Sequence, residues 1–203
     1  MANNTFFVFS SKGALKTVAV TPVLFEHAIK NNLYGTNSVR EIHHQLLYGD
    51  LTTGEYPEHL CFPIIFHQFD GTEWKDVLEL RFDGHCYLIS DRFKDVLLSE
   101  NISGWKSYPI QVYDKIGNKI KGYNGFTIIG RAGKIEKGCN SSTEPYLGQG
   151  NNSNWDSAQW DGSDFFYISP NIVACTERVK QVLDRKRIEG LSYRPLRTIV
   201  SII

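Results

Sequence analysis

Apolar residues at helical spacing occur in two stretches of the chain that follow the same residue order, 89–110 and 175–196. One constant offset of 86 positions, from Arg92 to Arg178, aligns the two stretches without a gap. The offset also pairs Lys94 with Lys180, Val96 with Val182, Leu97 with Leu183, Ile102 with Ile188, Gly104 with Gly190 and Pro109 with Pro195. This repetition indicates an internal duplication.

Each copy predicts the same order of elements: strand, tight turn, strand, helix, Gly-containing turn and strand. Ser90 and Thr176 are good helix N-caps, and an acidic residue follows each of them at the positive end of the helix dipole. Upstream, the same register places the Asp83-Gly84 dipeptide, which is a strong hairpin signal, over Ser169-Pro170. We expect the two helices and their flanking strands to superpose.

The remaining chain predicts further elements around these copies. Residues 5–9 and 199–203 are short apolar runs that predict strands, the second docked in a sheet. Thr21-Pro22 and Ser38 start two predicted helices. Strands are expected at 61–67, with Pro63 indicating an edge or a bulge, at 74–82 with Val77 or Leu78 marking the buried register, at 110–112, and at 126–129. A turn is expected at 116–118.

These elements predict an α+β fold with two mixed-sheet units, each carrying the duplicated strand-turn-strand-helix-strand element. We assign residues 1–130 to an amino-terminal unit that contains the first copy, with the amino-terminal helices packed on it. Residues 131–163 form a polar loop, and residues 164–203 contain the second copy. We expect both copies to pack into one globule.

Composition and charge exclude several classes of function. The 203 residues carry 22 basic and 22 acidic side chains, so the formal net charge is zero. Nucleic acid or an anionic membrane as the main partner would need clustered Lys and Arg, and no basic run occurs. The first residues have no basic region before a long apolar core, so we expect no signal peptide, and no apolar run reaches membrane-spanning length. We therefore expect a cytoplasmic protein, as a monomer or a weak homodimer.

The four cysteines are too far apart to form a metal-binding or redox pair. Cys61, Cys86, Cys139 and Cys175 include no C-x-x-C spacing, and we interpret them as reduced, buried thiols. The six histidines lack H-E-x-x-H spacing, and neighbouring His43 and His44 point to different helix faces. No metal and no cofactor is expected.

Other polar constellations leave alternatives open. Arg92 and Arg178 follow helix caps, so each could bind an anion at a helix N-terminus, form a structural ion pair or remain solvated. Asp76 and Glu79 lie at odd spacing on a predicted strand, which places them on opposite faces and without a matched partner for acid–base catalysis. No nucleophile elbow, phosphate-binding loop or dinucleotide fingerprint occurs. No catalytic residue is proposed.

Residues 130–163 are rich in Gly, Asn and Ser, and loops of this length are commonly functional or mobile. The loop carries two Trp-Asp pairs, which suit either an exposed protein interface or a segment that folds its rings back into the core. We assign partner binding to Tyr146, Trp155 and Asp156 and a structural role to Trp160, Asp161, Gly162 and Asp164. Arg92 and Arg178 complete the structural motif.

The block from Trp160 to Leu196 combines W-D-G-S-D-F-F, T-E-R-V-K and G-L-S-Y-R-P-L. This block resembles a bacterial family first catalogued as a domain of unknown function and later proposed to comprise immunity proteins of polymorphic toxin systems. Tyr193 stands where that family usually has Phe, and the polar insert before Trp155 is long. The resemblance covers less than a quarter of the chain. It implies a non-catalytic cytoplasmic protein whose partner is a cognate toxin domain, and it does not identify the toxin.

We therefore expect a protein that binds and neutralises a bacterial toxin by covering its active site. The alternative is a small-ligand or carbohydrate-binding module, or an enzyme, that uses the Trp/Tyr/Asn-rich loop. A ligand site would require a concave pocket with converging polar groups. A protein interface would instead show an exposed apolar patch with a polar rim.

Overall fold

The computed structural model describes residues 5–12, 16–22, 63–80, 83–132, 159–169 and 172–196. The strands within them are β1 (Phe6–Ser11), β2 (Ala19–Pro22), β3 (Ile64–Asp70), β4 (Val77–Leu80), β5 (Asp83–Ser90), β6 (Trp105–Tyr108), β7 (Ile110–Tyr113), β8 (Lys119–Ile120), β9 (Tyr123–Ile128), β10 (Gly130–Arg131), β11 (Phe165–Ser169), β12 (Ile172–Thr176) and β13 (Leu191–Pro195). The helices are α1 (Asp91–Ser99) and α2 (Glu177–Arg185).

The strands form two mixed sheets, so the fold is α+β as predicted. The five-stranded sheet has the order β10-β11-β12-β1-β13, and the eight-stranded sheet has the order β6-β9-β5-β4-β2-β3-β7-β8. Parallel pairs occur in both: β10 with β11 in the smaller sheet, and β2 with β4 and β3 with β7 in the larger. The remaining pairs are antiparallel.

Four strands of each sheet have the same neighbours, and three of them keep the register of the offset of 86 positions. The order β6-β9-β5-β4 corresponds to β13-β1-β12-β11. In β9, Gly125 pairs with Leu88 and Tyr108. In β1, Val8 pairs with Ala174 and Arg194, which lie 86 positions after those two partners. Strand β1, from the amino-terminal range, therefore takes in the second copy the place that β9 takes in the first.

The fourth pair, β4 and β11, corresponds at an offset of 88, because Val77 pairs with Ile89 and Phe165 pairs with Cys175. The predicted extension of the constant offset upstream of the copies was therefore wrong. That the copies arose by duplication stays a prediction.

Both helices begin at the predicted caps. The Ser90 hydroxyl accepts the Phe93 amide at 3.0 Å, and the Thr176 hydroxyl accepts the Val179 amide at 3.4 Å. Asp91 lies in the first turn of α1, where a negative charge is favoured by the helix dipole. Cap and apolar stripe are short-range features, so these two helices could be predicted from the sequence.

The main core lies between the two sheets and includes the apolar face of both helices. Its members are Phe9, Val77, Tyr87, Ile89, Phe93, Leu97, Ile102, Phe126, Ile128, Phe165, Tyr167, Val173, Cys175, Val179, Val182 and Leu183. Phe9 contacts the rings of Tyr87 and Phe165 edge-on, at centroid distances of 5.5 and 5.2 Å. Burying one such side chain contributes about 1.5–3 kcal/mol, so this cluster holds the two copies together.

A second core lies on the other face of the eight-stranded sheet. It contains Val18, Val20, Ile64, Phe66, Leu78, Leu80, Leu88, Tyr108 and Val112. Val77 and Leu78 are neighbours and both are fully buried, because β4 has a core on each face. The sequence had offered these two residues as alternatives for the buried register. Strand β7 approaches β9 although the two are far apart in strand order, so the sheet curls around this second core.

Two proline signals were wrong. Thr21-Pro22 was expected to start a helix, but both residues lie in β2 and pair with His67 and Phe66 of β3. Thr21 is 1% exposed, and burial between strands outweighs the capping tendency of the dipeptide. Pro63 was expected inside an edge strand or a bulge. It precedes β3, which lies between β2 and β7 in the interior of the sheet.

The prediction that Asp83-Gly84 forms a hairpin turn was wrong. Asp83 and Gly84 lie within β5, and Asp83 pairs with Leu80 after a register shift in β4. Buried Leu78 and Leu88, which pair with each other, set the register of this hairpin, and the local Asp-Gly signal does not. The predicted turn at 116–118 is confirmed between β7 and β8, with Gly117 at φ 88°.

Several predicted elements lie outside the described residues. They are the helices expected between Pro22 and residue 47, residues 133–158 of the polar loop, and the final strand at 199–203. Cys61 and Cys139 also fall outside this part of the chain. Cys175 lies in β12 as predicted and is a buried free thiol, and burial raises its pKa.

Candidate functional site

Three residues singled out by the sequence, Asp76, Ser90 and Arg92, meet Lys186 and Glu189 of the second copy in one charged cluster, which we call the first clasp. The Arg92 guanidinium and the Glu189 amide both donate to Asp76 Oδ2, at 2.9 and 3.0 Å. The Ser90 hydroxyl donates to Asp76 Oδ1 at 2.6 Å. Arg92 also donates to the Lys186 carbonyl at the end of α2. The cluster therefore joins the start of α1 to the end of α2.

The second clasp repeats this arrangement with Asp164, Thr176, Arg178, Glu100 and Ser103. The Arg178 guanidinium and the Ser103 amide both donate to Asp164 Oδ2 at 2.9 Å. The Thr176 hydroxyl donates to Asp164 Oδ1 at 3.1 Å. Arg178 also donates to the Glu100 carbonyl at the end of α1. The second clasp thus joins the start of α2 to the end of α1.

The two clasps are reciprocal. Each arginine bonds the carbonyl that ends the other copy's helix, and the partner positions in the helices and the turns after them are related by the same offset of 86 positions. Each turn then passes close to the other copy: a Cβ on Gly104 would lie 2.0 Å from the Phe165 carbonyl oxygen, and one on Gly190 would lie 2.6 Å from that of Val77. The ion-pair interpretation of Arg92 and Arg178 therefore fits the structure.

The electrostatics of the clasps suit a structural role. The side chains of Asp76 and Asp164 are each 10% exposed, while those of Arg92 and Arg178 are 53% and 52% exposed. Each buried carboxylate is compensated by a guanidinium and by backbone amides, so its charge is stabilised in place. The sequence left Asp76 without a partner. In the structure, Asp76 pairs with Arg92. The sequence signal for this pair was that Asp76 lies shortly before the Ser90 cap, as Asp164 lies shortly before the Thr176 cap.

The W-D-G-S-D segment closes the base of the polar loop. Asp161 accepts the amides of Arg131 and Ser163, at 2.8 and 2.9 Å, and Gly162 has φ 88°. The Trp160 indole donates to the Ser163 carbonyl at 2.9 Å. Its ring packs on Phe6 and Phe166, at centroid distances of 5.0 and 5.8 Å. Trp160, Asp161 and Gly162 therefore shape a tight, internally bonded turn that leads into Asp164.

The residues assigned to partner binding, Tyr146, Trp155 and Asp156, lie outside the described residues. The assignment of partner binding to these three residues therefore stays a prediction.

Among the described residues, a surface of a different kind lies on β3, β7 and β8. Register places Ile65 beside Gln111, His67 beside Tyr113, and Tyr113 beside Lys119, so these side chains share one face of the sheet. Alternation along β3 puts Phe69 on this face as well. We call this surface the β3–β7–β8 face. Ile65 and Phe69 are 41% and 40% exposed, and neither was among the residues that the sequence singled out.

The depressions on the described surface are shallow and open. The one beside α1, about 390 Å³, is lined by Lys94, Leu98, Ile102, Trp105, Lys106 and Ser107. A second of about 270 Å³ overlies the second clasp, whose Asp164 is already satisfied. Three buried hydroxyls elsewhere, those of Thr21, Thr127 and Tyr193, have no hydrogen-bond partner among the described atoms. None of these hydroxyls lines one of these depressions.

Within the described residues, no group of three His, Cys, Asp or Glu side chains is arranged to hold a metal ion. No helix in that part of the chain is long and apolar enough to cross a membrane.

Comparison of the chain with known protein families and with curated proteins finds no match.

Proposed function

We propose that this chain is a non-catalytic immunity protein of the bacterial cytoplasm that binds a cognate toxin domain and neutralises it by covering the toxin's active site. The proposal starts from the resemblance carried by the block from Trp160 to Leu196. Further support for the proposal comes from the contacts that residues of this block make in the fold.

The observation that carries the proposal is that Asp161, Asp164 and Arg178, three distinctive polar residues of the block, bond within the chain. Asp164 and Arg178 close the second clasp, and Asp161 holds the turn that precedes it. Residues used in this way make a rigid scaffold and leave recognition to the surface. A scaffold with an adaptable surface is what neutralising different toxins requires.

Surface composition also favours a protein partner over a small ligand. Large apolar side chains are exposed at Ile65, Phe69, Leu98 and Ile116. On the β3–β7–β8 face, aromatic and aliphatic side chains lie among Gln111 and lysines, which is the composition of an interface with a polar rim. In the depression over the second clasp, Asp164, Thr176 and Arg178 already bond within the chain, which leaves fewer polar groups for a small ligand.

Co-expression with the toxin domain encoded beside this gene in its genome tests the proposal. We expect the chain to restore growth and to co-purify with a catalytically inactivated form of that domain. A toxin domain from an unrelated toxin–immunity pair serves as the specificity control and should neither be neutralised nor co-purify. Absence of both growth protection and a complex with the cognate domain would refute the proposal.

Stoichiometry separates a binding protein from an enzyme that destroys the toxin or its product. Titration of the purified chain into a toxin activity assay should reach complete inhibition at one chain per toxin domain. Inhibition should be reversed when the complex is diluted below its dissociation constant. Complete inhibition at a small fraction of one equivalent would instead indicate catalysis and contradict the non-catalytic part of the proposal.

A further inference from the structure

The turn between β7 and β8 presents an isoleucine almost entirely to solvent on a rigid support. Ile116 is 84% exposed at its tip. Below it, Asp114 Oδ1 accepts the amides of Ile116 and Asn118, at 3.0 and 2.8 Å, and Asp114 Oδ2 accepts the Asn118 side-chain amide at 3.0 Å. Gly117 supplies the left-handed backbone that this turn needs.

Contacts with the end of β3 hold the same turn from the side. The Lys115 amide donates to the Gln68 side chain at 3.3 Å, and the Lys115 ammonium pairs with Asp70 at 3.2 Å. Gln68 is itself held by a 2.6 Å bond to the Gly71 carbonyl. The turn is therefore fixed to the end of β3, next to the β3–β7–β8 face. Because the backbone of the turn is already held, a partner would have to order only the Ile116 side chain.

Positive charges exceed negative charges around this surface. Exposed lysines occur at 115, 119 and 121, and of these the structure records an ion pair within the described residues only for Lys115, with Asp70. Asp114 remains negatively charged although it accepts hydrogen bonds from the turn, so the three lysines exceed Asp70 and Asp114 by one charge. Lys119 shares the face with Tyr113, as the pairing of β7 with β8 shows. The surface thus combines apolar anchors with an unbalanced positive rim, which complements an acidic partner surface.

We infer that the toxin domain of the proposed function docks on the β3–β7–β8 face through an acidic surface that contains an apolar pocket for Ile116. This inference rests on the proposed function and adds the binding surface and the chemistry of the partner. An acidic surface fits the partner of an immunity protein when the toxin's active site is built from carboxylates, which the lysines would cover. The inference is independent of residues 133–158.

Binding to the inactivated cognate toxin domain, measured by surface plasmon resonance with each variant, tests the inference. We expect Ile116→Ala to weaken affinity by about 30-fold, since a buried interface anchor contributes 2 kcal/mol or more. Leu98→Ala is the matched control, because Leu98 is also an exposed aliphatic residue, 57% exposed, on α1. It should change affinity by less than about twofold, in the range of energetically neutral positions.

Charge reversal separates the two parts of the inference. Lys119→Glu with Lys121→Glu should slow association about tenfold at low salt and reduce the dependence of the association rate on ionic strength, because steering by opposite charge is lost. Lys12→Glu, at an exposed lysine outside the face, is the control and should leave the rate unchanged. Thermal melting of every variant verifies that the fold is retained.

The possible failures are distinguishable. If the unaltered chain does not bind the toxin domain, the proposed function and this inference fall together. If it binds but the Ile116 and lysine variants bind equally well, the function stands and the assigned face is wrong. If Ile116→Ala instead converts a dimer to a monomer in sedimentation without weakening toxin binding, the face joins two copies of this chain, and the inference is overturned.

Discussion

The two clasps share one geometry and differ in how completely they satisfy the buried carboxylate. The Asp164 side chain receives four hydrogen bonds, from Arg178, Thr176 and both the amide and the hydroxyl of Ser103. The Asp76 side chain receives three, because the residue equivalent to Ser103 is Glu189, which donates only its amide. The Asp164 amide also donates back to the Ser103 hydroxyl, at 3.0 Å.

The difference shows which part of the arrangement can vary. Glu189 directs its side chain outward to Lys75, at 2.9 Å, and this hydrogen bond is the main cause of the raised pKa of Lys75. Two backbone contacts are the same in both clasps. The amide of Ser103 or Glu189 donates to the buried Asp, and the carbonyl at the helix end accepts from the Arg. Backbone groups are independent of residue identity, so the joint between the copies tolerates a change from Ser to Glu at this position.

The largest effects are expected where the turns cross the other copy. Gly104→Ala should destabilise the protein by about 4 kcal/mol, because Ala is strained at φ 85° and its Cβ would overlap the Phe165 carbonyl. Gly190→Ala should cost about 3 kcal/mol, since its overlap with Val77 is smaller. Chemical denaturation of both variants measures the difference. Equal stability of Gly104→Ala and the unaltered protein would contradict the close approach of the two copies.

Truncation of Trp160 should affect the two copies unequally. Asp164 and Asp76 are 88 positions apart, and the residue 88 positions before Trp160 is Thr72. The first copy therefore lacks an indole at this position. Trp160→Ala should cost about 3 kcal/mol through lost packing on Phe6 and Phe166. Hydrogen exchange should accelerate in β11 and β12 with no change in β4 and β5. Uniform acceleration in both sheets would show that the copies respond as one unit.

Removal of the two carboxylates should rank the clasps directly. Asp164→Ala should destabilise the protein by about 2.5 kcal/mol and Asp76→Ala by about 1.5 kcal/mol. The difference is expected because the Asp164 carboxylate accepts four hydrogen bonds and the Asp76 carboxylate accepts three. Ser103→Ala, which removes only the extra hydroxyl, should bring the second clasp towards the first. Denaturant midpoints of the four proteins check the ranking, and a larger loss for Asp76→Ala would reverse the comparison.

The smallest effect is expected at the helix ends and depends on pH. A hydrogen bond from Arg185 is the main cause that lowers the pKa of Glu100 below its ordinary value of 4.5, with a further contribution from Lys186. A lowered folded-state pKa means that the ionised group stabilises the fold above that ordinary value, and this contribution disappears as the pH falls through the folded-state pKa. Glu100→Gln should therefore be less stable than the unaltered protein at about pH 7, and the difference should shrink as the pH falls below the ordinary pKa of a glutamate. A difference that persists in acid would assign the effect to packing.

Local signals predicted the elements whose stability is mainly local. Helices α1 and α2 begin at Ser90 and Thr176 as expected, because a cap and an apolar stripe act within a few residues. Buried Phe93 and Leu183 were likewise readable from helical spacing. The paired glycines indicated the turns after the helices, and both adopt positive φ.

The candidate sites were predicted less well, because each depends on residues distant in sequence. Arg92 was recognised as a notable residue, yet its partner Asp76 and the carbonyl of Lys186 are brought to it only by the packing of the two copies. The exposed face with Ile65 escaped attention because an isolated strand pattern does not tell which of its faces will be covered.

The sequence by itself determined the repeated helix units, with their caps, stripes and glycine turns, because these depend on interactions between near neighbours. Only the tertiary structure decided that β1 enters the second copy's sheet, that Thr21 lies in a strand, and that each arginine closes on the other copy's helix end. Strand pairing and ion-pair formation choose among partners from the whole chain, and the choice is made by which arrangement buries the apolar faces of both copies together.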